Sequence, residues 1–267
     1  MSKNELKVYG LQISMHWEEA EANLRRYNEW LLQLSPGMAD IVVLPEMFQT
    51  GFSMKPQLFA EEVGGRTTQW MQAQSRRLNA AITGSIMVVE EEKYYNRLLW
   101  VTPDGAVRHY DKRHLFSLAG EEKVYAPGNE RLLVEWRGWR ILPLVCYDLR
   151  FPVWARNRMS DGAPEYDLAL FVANWPERRV AAWSKLLVAR AIENQCYIIG
   201  VNRVGEDGNG VYHSGHSAIH DAFGETMAAA SPGKEQWMSA VLEKEKLADI
   251  RSKLSFLADQ DQFEIIT

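Results

Sequence analysis

Leu144-Val145-Cys146-Tyr147-Asp148-Leu149-Arg150-Phe151-Pro152 closes an apolar run, Ile141 to Val145, that reads as a buried strand. Directly after Cys146 the chain turns polar, which suits an elbow from strand to loop and not the middle of a core strand. A thiol exposed at such an elbow is placed to act as a nucleophile. Two other segments share the pattern. Leu44-Pro45-Glu46-Met47-Phe48 ends the apolar run that begins at Ile41, and Tyr110-Asp111-Lys112-Arg113-His114-Leu115-Phe116 ends a strand pattern over 106–110. Each strand end offers one ionisable side chain: Glu46, Lys112 or Cys146. A carboxylate, an ammonium and a thiol together meet the needs of thiol-based acyl transfer.

Outward from these segments the hydrophobic period alternates between two and 3.6. Residues 7–14 read as a strand. Residues 17–34 place Trp17, Ala20, Leu24, Tyr27, Leu31 and Leu34 on one helical face that stops at Ser35-Pro36-Gly37. Strand 41–44, helix 67–80 and strand 81–89 continue a β-α-β-α-β order. A meander follows over 97–102, 106–110, 132–136 and 140–145, with turn chemistry at Pro103-Asp104-Gly105 and Gly138. The second half gives helices at 151–158 and 180–194, and strands at 168–172, 197–201, 215–220 and 238–241. A last amphipathic helix carries Leu247, Ile250 and Leu254. The class is α/β, and two β-rich halves with helices between strands imply two mixed sheets packed face to face.

The 267 residues, 46% hydrophobic and 24% charged, suffice for one large core, and no repeat or linker divides the chain. One domain is expected over 1–267, with a core from about 7 to 245 and a C-terminal helix and tail over 246–267. The net charge of −5 and the lack of any long basic block speak against a nucleic-acid partner. The opening MSKNELKVYG lacks the apolar core of a signal peptide, and no stretch approaches the length of a membrane span. These features predict a soluble, cytoplasmic protein. Its two cysteines form no CxxC pair and are expected reduced.

A lone cysteine after a strand is often mere packing. Cys196, at the start of the apolar Tyr197-Ile198-Ile199 with no acid or base placed beside it, fits that reading; Cys146, with its polar followers, does not. A thiol needs a base or a cation to become a nucleophile at neutral pH. Glu46, delivered by its own buried strand, can be the base. Lys112 could equally be a solvated loop lysine, but a fixed ammonium plus the backbone N–H of Tyr147 would hold the oxyanion that acyl transfer develops. Arg150 is a candidate for gripping an anionic group, or else a structural partner of Asp148. Phe116, Asn174 and Trp175 end strand patterns where they can line a pocket, and each could equally be core. Arg190 and Glu193 read as scaffold. His213 and His216 form an i, i+3 pair without grouped acidic or cysteine ligands, so no metal is expected.

In this order, Glu46, Lys112 and Cys146 resemble the nitrilase superfamily of carbon-nitrogen hydrolases. Residues 146–152 match its Cys-Tyr-Asp-x-Arg-Phe-Pro form in full, and Tyr110-x-Lys112-x-His114-Leu115-Phe116 matches beside it. The resemblance implies a four-layer α-β-β-α sandwich that assembles as a homodimer. It implies that Glu46 takes the thiol proton and passes it to the departing amine, with Lys112 stabilising the oxyanion. Glu121, seven residues before Gly128, has the spacing of a further active-site carboxylate that orients Lys112 and the attacking water; Glu122 is the adjacent alternative. No cofactor is required.

Segments 111–116, 146–152 and 173–176 look most like the bacterial omega-amidase branch, over about residues 7–245. That implies hydrolysis of the terminal carboxamide of 2-oxo acid amides, 2-oxoglutaramate and 2-oxosuccinamate, to the 2-oxo diacid and ammonia through a cysteine thioester. Such an activity disposes of keto-amides made by glutamine transaminases, including those coupled to methionine salvage. An N-carbamoyl amino acid or a nitrile would use the same three residues with another pocket. A non-catalytic binding module would have no chemical reason to keep all three.

Overall fold

Period-two alternation assigns each face of the first-half strands to a separate core. Ile41 and Val43 join one cluster while Val42 and Leu44 join another; Leu98 and Trp100 part in the same way from Leu99 and Val101. One face packs on the helices Ala20–Leu31 and Arg66–Leu78, through Leu24, Tyr27, Leu31, Met71 and Leu78. The other faces a second sheet. This computed structural model describes residues 4–160 and 162–265.

The first sheet has seven strands. Along its main path the order is Gln236–Glu243, Glu5–Gln12, Ile41–Val43, Ala81–Glu90, Lys93–Val101 and Val107–Asp111, with Glu61–Glu62 added to Ala81–Glu90. The second runs Thr226–Ala229, Ala218–His220, Tyr197–Asn202, Leu168–Ala173, Trp139–Val145 and Val134–Trp136. Helix Val180–Asn194 covers its outer face with Trp183, Leu187 and Ala191. The layers are therefore helix, sheet, sheet and helix, and both sheets are mixed. Gly10 marks how closely the sheets approach, since a Cβ there would lie 2.8 Å from Cγ2 of Val201. Each fully buried Val, Leu or Ile in this interior contributes about 1.5–3 kcal/mol.

Strand Leu168–Ala173 is buried at every residue, and it runs parallel to both Trp139–Val145 and Tyr197–Asn202. Val172 pairs with Val145, so Cys146 and Asn174 leave adjacent strands at the same edge. Among the described residues no helix is long and apolar enough to cross a membrane.

The structure corrects several local expectations. Residues 151–158 form no helix: a single 3₁₀ turn, Cys146–Arg150, ends at Phe151, whose φ of −113° and ψ of 87° lie outside the helical region that a following proline disfavours. The apolar spacing there reflects burial of Trp154 and Ala155 in an irregular segment. Trp154 and Trp183 lie inside the protomer at 4% and 0% exposure and offer no apolar edge to a second copy. The strand expected over 215–220 shortens to Ala218–His220, while Tyr212–Ser214 pairs separately with Val204–Glu206. The strand expected from Arg97 begins at Lys93, because Asn96 and Arg97 are polar residues buried within it.

Candidate active site

Glu46, Lys112, Cys146 and Asn174 each follow the carboxyl end of a strand, two on either sheet, and the sandwich brings these ends to one cavity of about 360 Å³. This is the edge at which α/β sheets commonly hold ligands. The floor is charged and fully desolvated. The Lys112 ammonium donates to Oε1 of Glu46 at 2.9 Å and to Glu121 at 2.8 Å (Oε2) and 3.1 Å (Oε1). All three side chains are buried. Burial works against the ammonium, but Glu121 and Glu46, with Cys146, outweigh it and raise the lysine's pKa. For Glu121 burial and the nearby Glu46 raise the pKa despite Lys112.

Each carboxylate is further fixed by amides. Glu46 accepts from Nδ2 of Asn96 at 2.8 Å through Oε1 and from the backbone N–H of Asn174 at 2.8 Å through Oε2. The Asn174 side chain donates back to the carbonyl of Glu46 at 2.6 Å, so the second sheet clamps the first sheet's carboxylate. Glu121 accepts from the Phe116 N–H at 2.6 Å and from Asn96 at 3.1 Å. Glu122 is exposed, so the neighbouring alternative falls away on position alone. Gly128 lets this loop close over the strand end: a Cβ there would stand 2.2 Å from the Asp111 carbonyl, while its N–H donates to Lys112 O at 3.0 Å.

Cys146 occupies the elbow with φ of +45°, a conformation that L residues adopt at a cost of about 1–3 kcal/mol. The turn is held from beneath by Asp148. Its carboxylate accepts from the Val145 N–H at 3.1 Å, the Tyr110 hydroxyl at 2.8 Å and the His114 N–H at 3.0 Å, and lies 2.8 Å from Nδ1 of His114. The His114 ring stacks on Phe151 at 3.6 Å between centroids. Arg190 secures the far side by donating to the Leu149 carbonyl at 2.7 Å while pairing with Glu193 at 2.8 Å, the scaffold role read for both. Burial, with Glu46 and Glu121 adding negative charge, pushes the Cys146 thiol well up, and Lys112 opposes this only in part.

Tyr147, Arg150, Phe116, Asn174 and Trp175 all line the cavity. Asp148 is saturated by Tyr110, His114 and Val145, and Arg150 makes no ion pair with it; the guanidinium lies over the Trp175 ring at 4.7 Å. Glu121 stands behind Lys112 and off the wall. His216 turns to Ser214, and among the described residues no group of three or more His, Cys, Asp or Glu is placed to hold a metal ion.

Three wall or floor residues carry no motif signal: Asn96, Phe52 and Arg179. A polar residue inside an apolar strand pattern is the one hint for Asn96, whose carbonyl oxygen accepts from Ser85 Oγ at 2.8 Å while its amide reaches both carboxylates. His213, weighed above only as a metal ligand, is also on the wall; burial and the nearby Arg203 guanidinium lower it to about 4, with Asp207 opposing.

Residues 8–252 match the model of the carbon-nitrogen hydrolase family. The omega-amidase YafV of Yersinia enterocolitica is 48% identical over 263 residues, covering 98% of this chain and 99% of that one. The 2-oxoglutaramate amidase of Bacillus subtilis is 30% identical over 93% of this chain and 95% of its own length. Among solved structures, a CN-hydrolase superfamily protein from Xanthomonas campestris with an arsenic adduct in its active site superposes with a TM-score of 0.96 at 45% identity, over 98% of this chain and all of that one.

Proposed function

The chain belongs to the carbon-nitrogen hydrolase family, and from that premise we propose that it is an amidase acting on the terminal carboxamide of 2-oxo acid amides such as 2-oxoglutaramate and 2-oxosuccinamate. The observation that carries the reading is the buried Glu46–Lys112–Glu121 cluster beside a thiol on a left-handed elbow. The substrate class rests on the relatives named omega-amidase and 2-oxoglutaramate amidase. A cavity of about 360 Å³ is sized for a small molecule.

The chemistry follows from the placement. Glu46 takes the proton of Cys146 as the sulfur attacks the carboxamide carbon, which answers the raised thiol pKa by making deprotonation part of the attack. An ammonium has three N–H groups; with one directed at Glu46 and one shared between the two oxygens of Glu121, the third is left for the oxygen that becomes the oxyanion. The Tyr147 N–H, in the first turn after the nucleophile, is the second donor. Glu46 then protonates the leaving nitrogen, the C–N bond breaks and ammonia departs, leaving a thioester. Water, giving its proton to Glu46, attacks the thioester carbon; the C–S bond breaks and the thiol recovers that proton. The products are the 2-oxo diacid and ammonia. Glu121 positions Lys112, and Arg150 holds an anionic part of the substrate.

The same reading places the protein in the cytoplasm as a homodimer, by resemblance to nitrilase-like proteins; sedimentation at two concentrations checks the assembly. Ammonia release tests the reaction. 2-Oxoglutaramate and 2-oxosuccinamate are expected to turn over with wild type and not with Cys146→Ala, while an N-carbamoyl amino acid and a simple nitrile do not. Turnover of one of the latter alone would overturn the substrate class and leave the thiol chemistry standing.

A further inference from the structure

A carboxylate offers about four lone-pair sites, two on each oxygen. On Glu121 all of them are engaged: Oε1 accepts from Lys112 at 3.1 Å and from Nδ2 of Asn96 at 3.1 Å, and Oε2 from Lys112 at 2.8 Å and from the Phe116 N–H at 2.6 Å. On Glu46, Oε1 is filled by Lys112 at 2.9 Å and Asn96 at 2.8 Å, whereas among the described residues Oε2 takes only the Asn174 N–H at 2.8 Å. The cluster thus keeps one vacancy, on Oε2 of Glu46, and the Cys146 thiol is within hydrogen-bonding reach of that carboxylate. We infer that Asn96 is a positioning residue for the hydrolysis: by closing Oε1 of both glutamates, it leaves Oε2 of Glu46 as the oxygen that carries the proton from the thiol to the leaving nitrogen.

The Asn96 amide is latched in one orientation. It is fully enclosed within strand Lys93–Val101, and Ser85 Oγ, which accepts from the Met47 N–H at 2.9 Å, donates to Asn96 Oδ1 at 2.8 Å. A flipped amide would aim its oxygen at two carboxylates. The Asn96 backbone carbonyl also accepts from the Lys112 N–H at 3.0 Å, so one residue holds both the segment that bears the ammonium and the two acids that grip it. Its two Nδ2 bonds favour the ionised form of each acid. The other charged or titratable groups facing the pair are Lys112, Cys146 and, from the covering loop, Tyr125, whose hydroxyl donates to the Ser53 carbonyl at 2.8 Å. Arg97, next along the strand, pairs with Asp111 and Glu90 instead. Without Asn96 both Oε1 atoms open, and a proton resting there is out of line with the thiol and the leaving nitrogen.

This inference rests on the amidase reading, and a thiol reagent that contains no amide separates the two. For wild type and Asn96→Ser, kcat and KM with 2-oxoglutaramate are measured from about pH 6 to about pH 9, beside the rate at which methyl methanethiosulfonate modifies Cys146. In the variant kcat falls by about tenfold to a hundredfold at the acid end and recovers toward the alkaline end, where the carboxylates ionise without help. KM stays within about twofold, and thiol modification follows the same curve as kcat. Ser85→Ala guards against misfolding of Asn96→Ser: it leaves the amide in place but unlatched, and shows the same pH signature at about threefold to tenfold. A loss independent of pH, a loss confined to KM, or wild-type profiles in both variants overturns the role of Asn96. Failure of wild type to release ammonia overturns the amidase reading instead, and the thiol-modification profiles still decide whether Asn96 directs the proton.

Discussion

Cys146 and Cys196 both stand where strand and helix meet, both are unpaired, and burial pushes both thiols upward. Cys196 is fully enclosed and burial raises it to about 12, with the Arg190 carbonyl 4.0 Å from its sulfur. Cys146 is half-buried on a cavity, with Glu46 and Lys112 at its side and a backbone turned left-handed beneath it. Burial by itself makes a thiol inert. A neighbouring carboxylate that can accept the proton, and a cation that can hold the developing oxyanion, convert the same burial into a water-poor site for chemistry.

The widest gap between the two should come from deletion. Cys146→Ala is expected to lower kcat/KM for 2-oxoglutaramate by at least about 10⁴-fold, as loss of a nucleophile does elsewhere. Glu46→Gln keeps the shape and removes the base, and single-turnover rates should fall by about 10²–10⁴-fold. Lys112→Met leaves two buried carboxylates facing one another without a cation, so urea unfolding should show a loss of about 3–5 kcal/mol together with loss of activity.

A third desolvated group sharpens the comparison from the side of pH. His213 titrates near 4 in the fold against 6.5 when unfolded, so the unfolded chain binds more protons between those values. Stability is complete above pH 6.5 and is lost as pH falls toward 4. Between pH 7.5 and pH 5 this amounts to about 2 kcal/mol, and His213→Gln should flatten that slope in urea titrations at the two pH values. The smallest effect belongs to Cys196→Ala: about 1 kcal/mol of stability, with turnover unchanged. Iodoacetamide followed by mass spectrometry should label Cys146 alone in the native protein and both thiols in denaturant. Native labelling of Cys196 would break the contrast.

Much of this site was legible because strand ends announce themselves. Apolar runs that stop at Glu46 and at Cys146 mark two of its residues, whereas Lys112, within Asp111-Lys112-Arg113-His114, and Glu121, seven residues before Gly128, came from the resemblance to nitrilase-like enzymes, which left Glu122 as an alternative. What stayed hidden was whatever depends on a partner from elsewhere in the chain. Asn96 bridges two carboxylates that lie 50 and 25 residues away. Arg179 gains its place from a ring at Phe116. The stretch 151–158 carries a helix-like apolar spacing, yet Pro152 and the burial of Trp154 against Tyr110 hold it irregular.

The sequence by itself determined the α/β class, the alternation that gives each strand its two faces, and the residue types delivered to the strand ends, because these follow from local periodicity and turn chemistry. Only the tertiary structure decided which ends meet. The pairing of Val145 with Val172 sets Cys146 beside Asn174, and the packing of one sheet on the other carries Asn174 to Glu46. It also decided the charge state of the floor, since a lysine between two carboxylates owes its proton to desolvated neighbours that no run of residues can display.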